Sequence, residues 1–110
     1  MLFDNAVLRK FALYVFMIIS IKHKGLKLYW TKGDQSKLPP DSLNKIRRIL
    51  DAIDNANSVP QDFEPFKNRR IHPLKGKLDG FWSLDLTGNW RIIFRFVSGN
   101  AEDLDLLDTH

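Results

Sequence analysis

Residues 71–96 read IHPLKGKLDGFWSLDLTGNWRIIFRF, and the period of their apolar positions decides the fold. Trp82, Leu84 and Leu86 recur every second residue. After the LTGN turn, Trp90, Ile92, Phe94 and Phe96 do the same, alternating with Arg91, Ile93 and Arg95. A period of two means strands, with successive side chains on opposite faces of a sheet. One face is therefore apolar and packs inward. The other carries Arg91 and Arg95, so cations that neighbour the core in sequence lie across the sheet from it in space. This face is expected to be an open, shallow, basic cleft.

The flanking residues extend the pattern. Residues 70–75 suit a short strand, SGN (98–100) another turn, and DLDLLDTH (103–110) a closing strand with Leu104 and Leu106 on one side. Upstream the period lengthens. PPDSLNKIRRILDAIDNANS (39–58) places Leu43, Ile46, Leu50 and Ile53 on one helical face with Ile49 beside them. KGLKLYWTKG (24–33) gives a shorter helix with Leu26, Tyr29 and Trp30 on one face and Gly33 as its stop. IISIKH (18–23) is expected as a first strand, and residues 60–69 as an irregular linker whose Phe63 and Phe66 dock on the core. The expected class is α+β: an N-terminal strand, then two helices packed on one face of an antiparallel sheet.

The chain has 110 residues, enough for one domain, and 44% of them are hydrophobic. No cysteine is present, which excludes disulfides and thiolate metal sites. The net charge is +4. Lys22, Lys24, Lys27 and Lys32 form one basic group, Lys45, Arg47 and Arg48 another, and Lys67, Arg69, Arg70, Lys75 and Lys77 a third. Such a surface attracts polyanions, nucleic acid most simply. HExxH spacing, a phosphate-binding glycine loop and a GxSxG elbow are all missing, so no metal or other cofactor is expected. His72, His110, the lysines and the arginines suit a reaction needing only proton carriers and cations: attack of an RNA 2′-hydroxyl on its neighbouring phosphate. His23 reads as a surface residue.

KHKGLK (22–27), HPLKG (72–76), GFWSL (80–84), GNWRIIFRF (88–96) and a terminal D-x-H (108–110) occur in this order. Together they resemble the HigB toxins of bacterial type II toxin–antitoxin systems, in the RelE/ParE superfamily. The resemblance implies a RelE-like fold over residues 17–110 and a ribosome-dependent mRNA endonuclease. It implies a HigA-type helix-turn-helix antitoxin as partner, with ribosomal RNA and mRNA as the other contacts. Operator DNA would be reached only through the antitoxin complex, and the expected compartment is the cytoplasm, without membrane attachment. Carried over by position, His72, Lys75, Arg91 and His110 are the catalytic candidates, with the acid and base roles of the two histidines left open. Lys22, Lys24, Lys27, Lys77, Asn89, Arg95 and Asp108 are candidate contacts to RNA or its phosphates. Relatives commonly have tyrosine before the terminal histidine, where this chain has Thr109. The stacking role would then pass to another aromatic such as Phe81 or Trp82. A second function stays open: a non-catalytic interaction protein, either a ParE-like topoisomerase inhibitor or a degenerate toxin acting only as antitoxin partner and co-repressor.

Residues 1–16 precede the resemblance. LRKFALYVFMIISI (8–21) has the cations and apolar run of a signal peptide but no small-residue cleavage site after it, and Ile18–Ile21 is needed as a strand. The expectation is an extension outside the domain, with Met17 as the true start. Intact-mass measurement of the natively expressed protein checks this; a product retaining residue 1 overturns it.

Overall fold

The structure, a computed structural model, describes residues 17–109. The extension expected at residues 1–16 lies outside the described residues, as does His110. Helix α1 spans Lys24–Lys32 and helix α2 Leu43–Asn55, and four strands follow: β1 (His72–Pro73), β2 (Phe81–Asp85), β3 (Trp90–Val97) and β4 (Asn100–Asp108). The strands form one sheet in the order β1-β2-β3-β4, each antiparallel to the next.

His23, read from sequence as a surface residue, instead caps α1: its Nδ1 accepts a hydrogen bond from the Leu26 N–H at 3.1 Å. This satisfies one of the donors that a helix start leaves free. Gly33 ends the helix at φ 72°, its N–H bonded back to the Leu28 and Tyr29 carbonyls, a conformation that glycine adopts without steric cost. A Cβ on Gly25 would come within 3.0 Å of the Lys37 carbonyl oxygen. The first turn of α1 can therefore lie close against the loop leading to α2. Pro40 opens a short 3₁₀ turn into α2, and Ile46, Ile49, Leu50 and Ile53 are all buried along that helix. They meet Leu84, Leu86, Ile92, Phe94, Leu104 and Leu106 from the sheet. Each fully buried aliphatic side chain contributes about 1.5–3 kcal/mol.

Residues 61–69, expected as irregular linker, form short 3₁₀ turns. Phe63 is fully buried within them, 5.7 Å from the Phe94 ring and 6.4 Å from that of Phe66. The N-terminal segment also differs from a simple strand. Ile18 bridges Ala101 and Ile21 bridges Leu104, both in parallel orientation. Ladder bonds connect Ile19 N–H to the Ala101 carbonyl at 2.8 Å and Lys22 N–H to the Leu104 carbonyl at 2.7 Å. The otherwise antiparallel sheet thus gains a parallel edge beside β4. Regular pairing is interrupted there because β4 bulges: the register steps from Ile93↔Asp105 to Arg95↔Glu102, and Asp103 sits at φ 55°. The extra residue returns Leu104 to the core face. Ser20 secures the bulge, its Oγ accepting from the Asp103 N–H at 2.8 Å.

Asp54, near the end of α2, is 5% exposed. One carboxylate oxygen, Oδ1, accepts from the Met17 and Ile18 N–H groups, both at 3.2 Å. Hydrogen bonds to a charged group are worth about 1.5–3 kcal/mol each, and buried donors left unpaired carry a further penalty. Asp54→Ala is accordingly expected to cost about 3 kcal/mol in urea denaturation, and Asp54→Asn, which keeps an acceptor, less. Equal loss in the two variants would show that the acceptor is not what matters.

Candidate active site

Alternation assigns each candidate residue to a face of the sheet. Cross-strand partners share a face, so His72, Ser83, Ile93 and Asp105 form one row, and Asp85, Arg91 and Leu107 the adjacent row. His72 and Arg91 thus face the same way, two strands and one pleat apart. Standard strand spacings put their Cα atoms roughly 12 Å from each other.

His72 is half-buried and oriented by its own backbone: Nδ1 lies 2.6 Å from the Arg70 carbonyl oxygen. A carbonyl only accepts, so Nδ1 carries the proton, and in the neutral ring Nε2 is left with its lone pair. Arg70 holds this geometry from a left-handed conformation, φ 53°. Its guanidinium meets Asp85 at 2.6 Å, and that carboxylate raises the Arg70 pKa, first through the hydrogen bond and then through charge. Asp85 is also the cross-strand partner of Arg91. Arg70 takes one oxygen of that carboxylate, and Arg91 makes no ion pair among the described residues.

At the other end of the face, Phe81 pairs with Arg95. The Lys22 ammonium lies 5.7 Å and the Arg95 guanidinium 6.0 Å from the centre of its ring. Lys22 and Arg95 are therefore gathered at one aromatic, although Arg95 also lies 3.9 Å from Asp103. Phe81 stands on the candidate face, as a stacking residue must. Trp82 does not, since it pairs with Phe94 and packs against the core.

Other candidates fall elsewhere. Lys75 and Lys77 are exposed around the 3₁₀ turn Gly76–Leu78 that follows β1. Lys24 and Lys27 are exposed on α1. Asn89 works through its backbone: its carbonyl accepts from the Thr109 N–H at 2.7 Å, tying the tail to the turn before Arg91. Asp108 pairs with Trp90, so alternation places it on the face opposite to Arg91. The expectation of an open, shallow, basic cleft is also corrected, since Ser83 and Ile93 at the centre of this face are buried. Asp85, Asp105 and Glu102 share this face with the arginines.

Sequence reasoning missed Ser83. It is fully buried, and its Oγ has no hydrogen-bond partner, although it stands in the His72 row. A serine between Trp82 and Leu84 carries no motif, and only the register gives it a neighbour. Among the described residues, no cluster of three His, Cys, Asp or Glu side chains suits a metal ion, and no helix is long and apolar enough to cross a membrane.

Comparison with known proteins identifies the chain's relatives. Residues 19–110 match the model of the HigB-like toxin family, described as the RelE-like toxin of type II toxin–antitoxin system HigB. A protein named Endoribonuclease HigB from Proteus vulgaris is 43% identical over 97 residues, covering 86% of this chain and all of the relative. Toxin HigB-1 of Vibrio cholerae is 32% identical over 95 residues, covering 86% of this chain and 98% of its own. The solution structure of a conserved hypothetical protein from Helicobacter pylori aligns with a TM-score of 0.45 at 14% identity, covering 84% of this chain and 94% of that one.

Two measurements check the geometry. Imidazole ¹⁵N spectra of the neutral His72 ring are expected to show the proton on Nδ1; a proton on Nε2 would contradict the bond to Arg70. Ser83→Ala is expected to stabilise the fold by about 1 kcal/mol in urea, because it removes a buried unpaired hydroxyl. A destabilised variant would mean that the hydroxyl has a partner.

Proposed function

We propose a function from one premise: the chain belongs to the HigB-like toxins, the RelE-like toxins of type II toxin–antitoxin systems, and the reaction we assign to it is cleavage of RNA. The observation that carries this reading is the pair formed by His72 and Arg91. An imidazole whose Nδ1 carries the proton shares a sheet face with a guanidinium that has no ion pair among the described residues. A proton acceptor and a phosphate-binding cation are the two groups that 2′-hydroxyl attack requires.

In the proposed reaction, His72 Nε2 takes the proton of the 2′-hydroxyl as the 2′-oxygen bonds to phosphorus. The bond from phosphorus to the 5′-oxygen breaks, and a general acid protonates the leaving oxygen. The products are a 2′,3′-cyclic phosphate and a free 5′-hydroxyl. His110 is the acid in this scheme, as the imidazole that follows the tethered Thr109. Arg91 balances the negative charge that builds on the phosphoryl oxygens with a two-pronged fork, and Lys75 reaches in from the exposed turn after β1 as a point charge. Phe81, with Lys22 and Arg95 beside it, supplies a stacking surface in place of the tyrosine common at position 109. Each step uses a side chain of this protein and none calls for a metal. The 2′-hydroxyl requirement makes the reaction selective for RNA.

The target is mRNA on the ribosome, with basic side chains such as Lys24, Lys27 and Lys77 contacting ribosomal RNA by charge. The neutralising partner is a HigA-type helix-turn-helix antitoxin, which carries the complex to operator DNA. The relative named as an endoribonuclease supports the reaction class.

Arg91→Ala is expected to lower cleavage by about 100-fold or more, the scale on which loss of one transition-state donor is felt. Its thermal midpoint is expected to stay near that of the parent chain. Primer extension on cellular messages after induction reads this directly. The parent gives discrete cuts inside open reading frames and the variant does not. Intact messages with the parent chain would overturn the reading.

A further inference from the structure

A second cationic site lies away from the sheet face, between α2 and the 3₁₀ turns at residues 61–69. A pocket of about 100 Å³ is lined there by Lys45, Arg48, Asn68 and Arg69 over an apolar floor that includes Ile49 and Phe66. No carboxylate lines it. The contrast with the adjoining cation is informative. Arg47 is tied to Asp51 at 3.3 Å and lies 5.5 Å from the Trp30 ring. Lys45 and Arg48, three apart on the neighbouring helical face, have neither an ion pair nor a ring contact among the described residues. Arg69 is anchored: one terminal nitrogen donates to the Leu86 carbonyl at 3.0 Å, and its other N–H groups remain available. Three cations held around one small concavity repel one another unless an anion joins them.

We infer that this pocket binds a backbone phosphate of RNA, remote from the scissile one. The inference rests on the RNA-cleaving reading for its ligand. A phosphate is favoured over the carboxylate of an acidic peptide because of where the pocket sits. Arg69 lies three residues before His72, and its bond to Leu86 fixes it beside the strand end where Asp85 meets Arg70. Cations then mark a path from Lys22 and Arg95 at Phe81, across His72 and Arg91, and around the β1 edge to Arg69, Arg48 and Lys45. Guanidinium groups and an amide provide the forked donors that phosphate oxygens accept.

The test uses the full chain, titrated first with inorganic phosphate and then with a DNA oligonucleotide, which lacks the attacking hydroxyl and cannot be cut. Both ligands are expected to shift the Asn68 and Arg48 signals in ¹H–¹⁵N spectra. Lys45 and Arg48 are exposed, so the Lys45→Ala/Arg48→Ala double variant is expected to fold. It should weaken oligonucleotide binding about tenfold and lower the salt slope by about 0.7, one phosphate's worth on a single strand. Arg48→Lys should keep most of the affinity. The same double variant, pelleted with ribosomes, identifies the source. Loss on the free strand assigns the phosphate to the message, and loss on ribosomes alone assigns it to ribosomal RNA. Unchanged affinity in both arms, with shifts from inorganic phosphate only, would mean an adventitious ion only and would overturn the inference. Unchanged RNA affinity with lost antitoxin binding would overturn it in favour of an acidic peptide. Arg91→Ala should leave the pocket signals unmoved, so a failed nuclease reading and a failed pocket remain separable.

Discussion

One buried carboxylate joins the two layers of this domain. Asp54 belongs to α2, yet the groups it binds are the Met17 and Ile18 N–H at the head of the sheet's edge segment. That segment has only two bridges to β4, and a bulge interrupts its ladder. The main chain runs directly from it into the His23 cap and α1. Releasing the clamp would therefore loosen the edge segment, the helix after it, and Lys22, whose position over Phe81 depends on both. A charge buried beside backbone donors is costly to leave unpaired, so the clamp favours the closed edge.

The site is organised by competition for acids as much as by its cations. Asp85 stands opposite Arg91, where a cross-strand ion pair would ordinarily form. The left-handed turn at Arg70 brings a second guanidinium to the same carboxylate. Its carbonyl at the same time fixes the His72 ring. One residue thus takes an oxygen of the Asp85 carboxylate and orients His72, linking local backbone conformation to the charge state of the face.

Much of the fold was legible because it rests on period. The α2 stripe and the alternation in β2 and β3 place Ile46, Ile49, Leu50, Ile53, Leu84, Leu86, Ile92 and Phe94 in the core, where the structure has them, but alternation alone does not foresee the burial of Ile93. The outward direction of Arg91 follows from the same count. What escaped was set by tertiary contacts or by short-range capping. Nothing in the lysine-rich stretch marks His23 as a cap, because histidine is not among the preferred capping residues. The parallel edge and the bulge at Asp103 depend on a partner segment some eighty residues away. The acids of this face were visible in sequence, but their mixing with arginine appears only once register pairs Arg91 with Leu107 and Ile93 with Asp105. Trp82 and Phe81 are adjacent letters on opposite faces, and the period that puts Trp82 with Leu84 and Leu86 already leaves Phe81 as the outward one. The separation of His72 from Arg91 is likewise a property of registry.

β1 has only two residues, and one of them is Pro73. Proline offers no N–H to a newcomer, and the chain leaves the sheet soon afterwards. This flank is therefore a poor template for another copy of the protein. The histidine-bearing border is thereby sealed against self-polymerisation through main-chain amides, and what it still offers to contacts is its side chains.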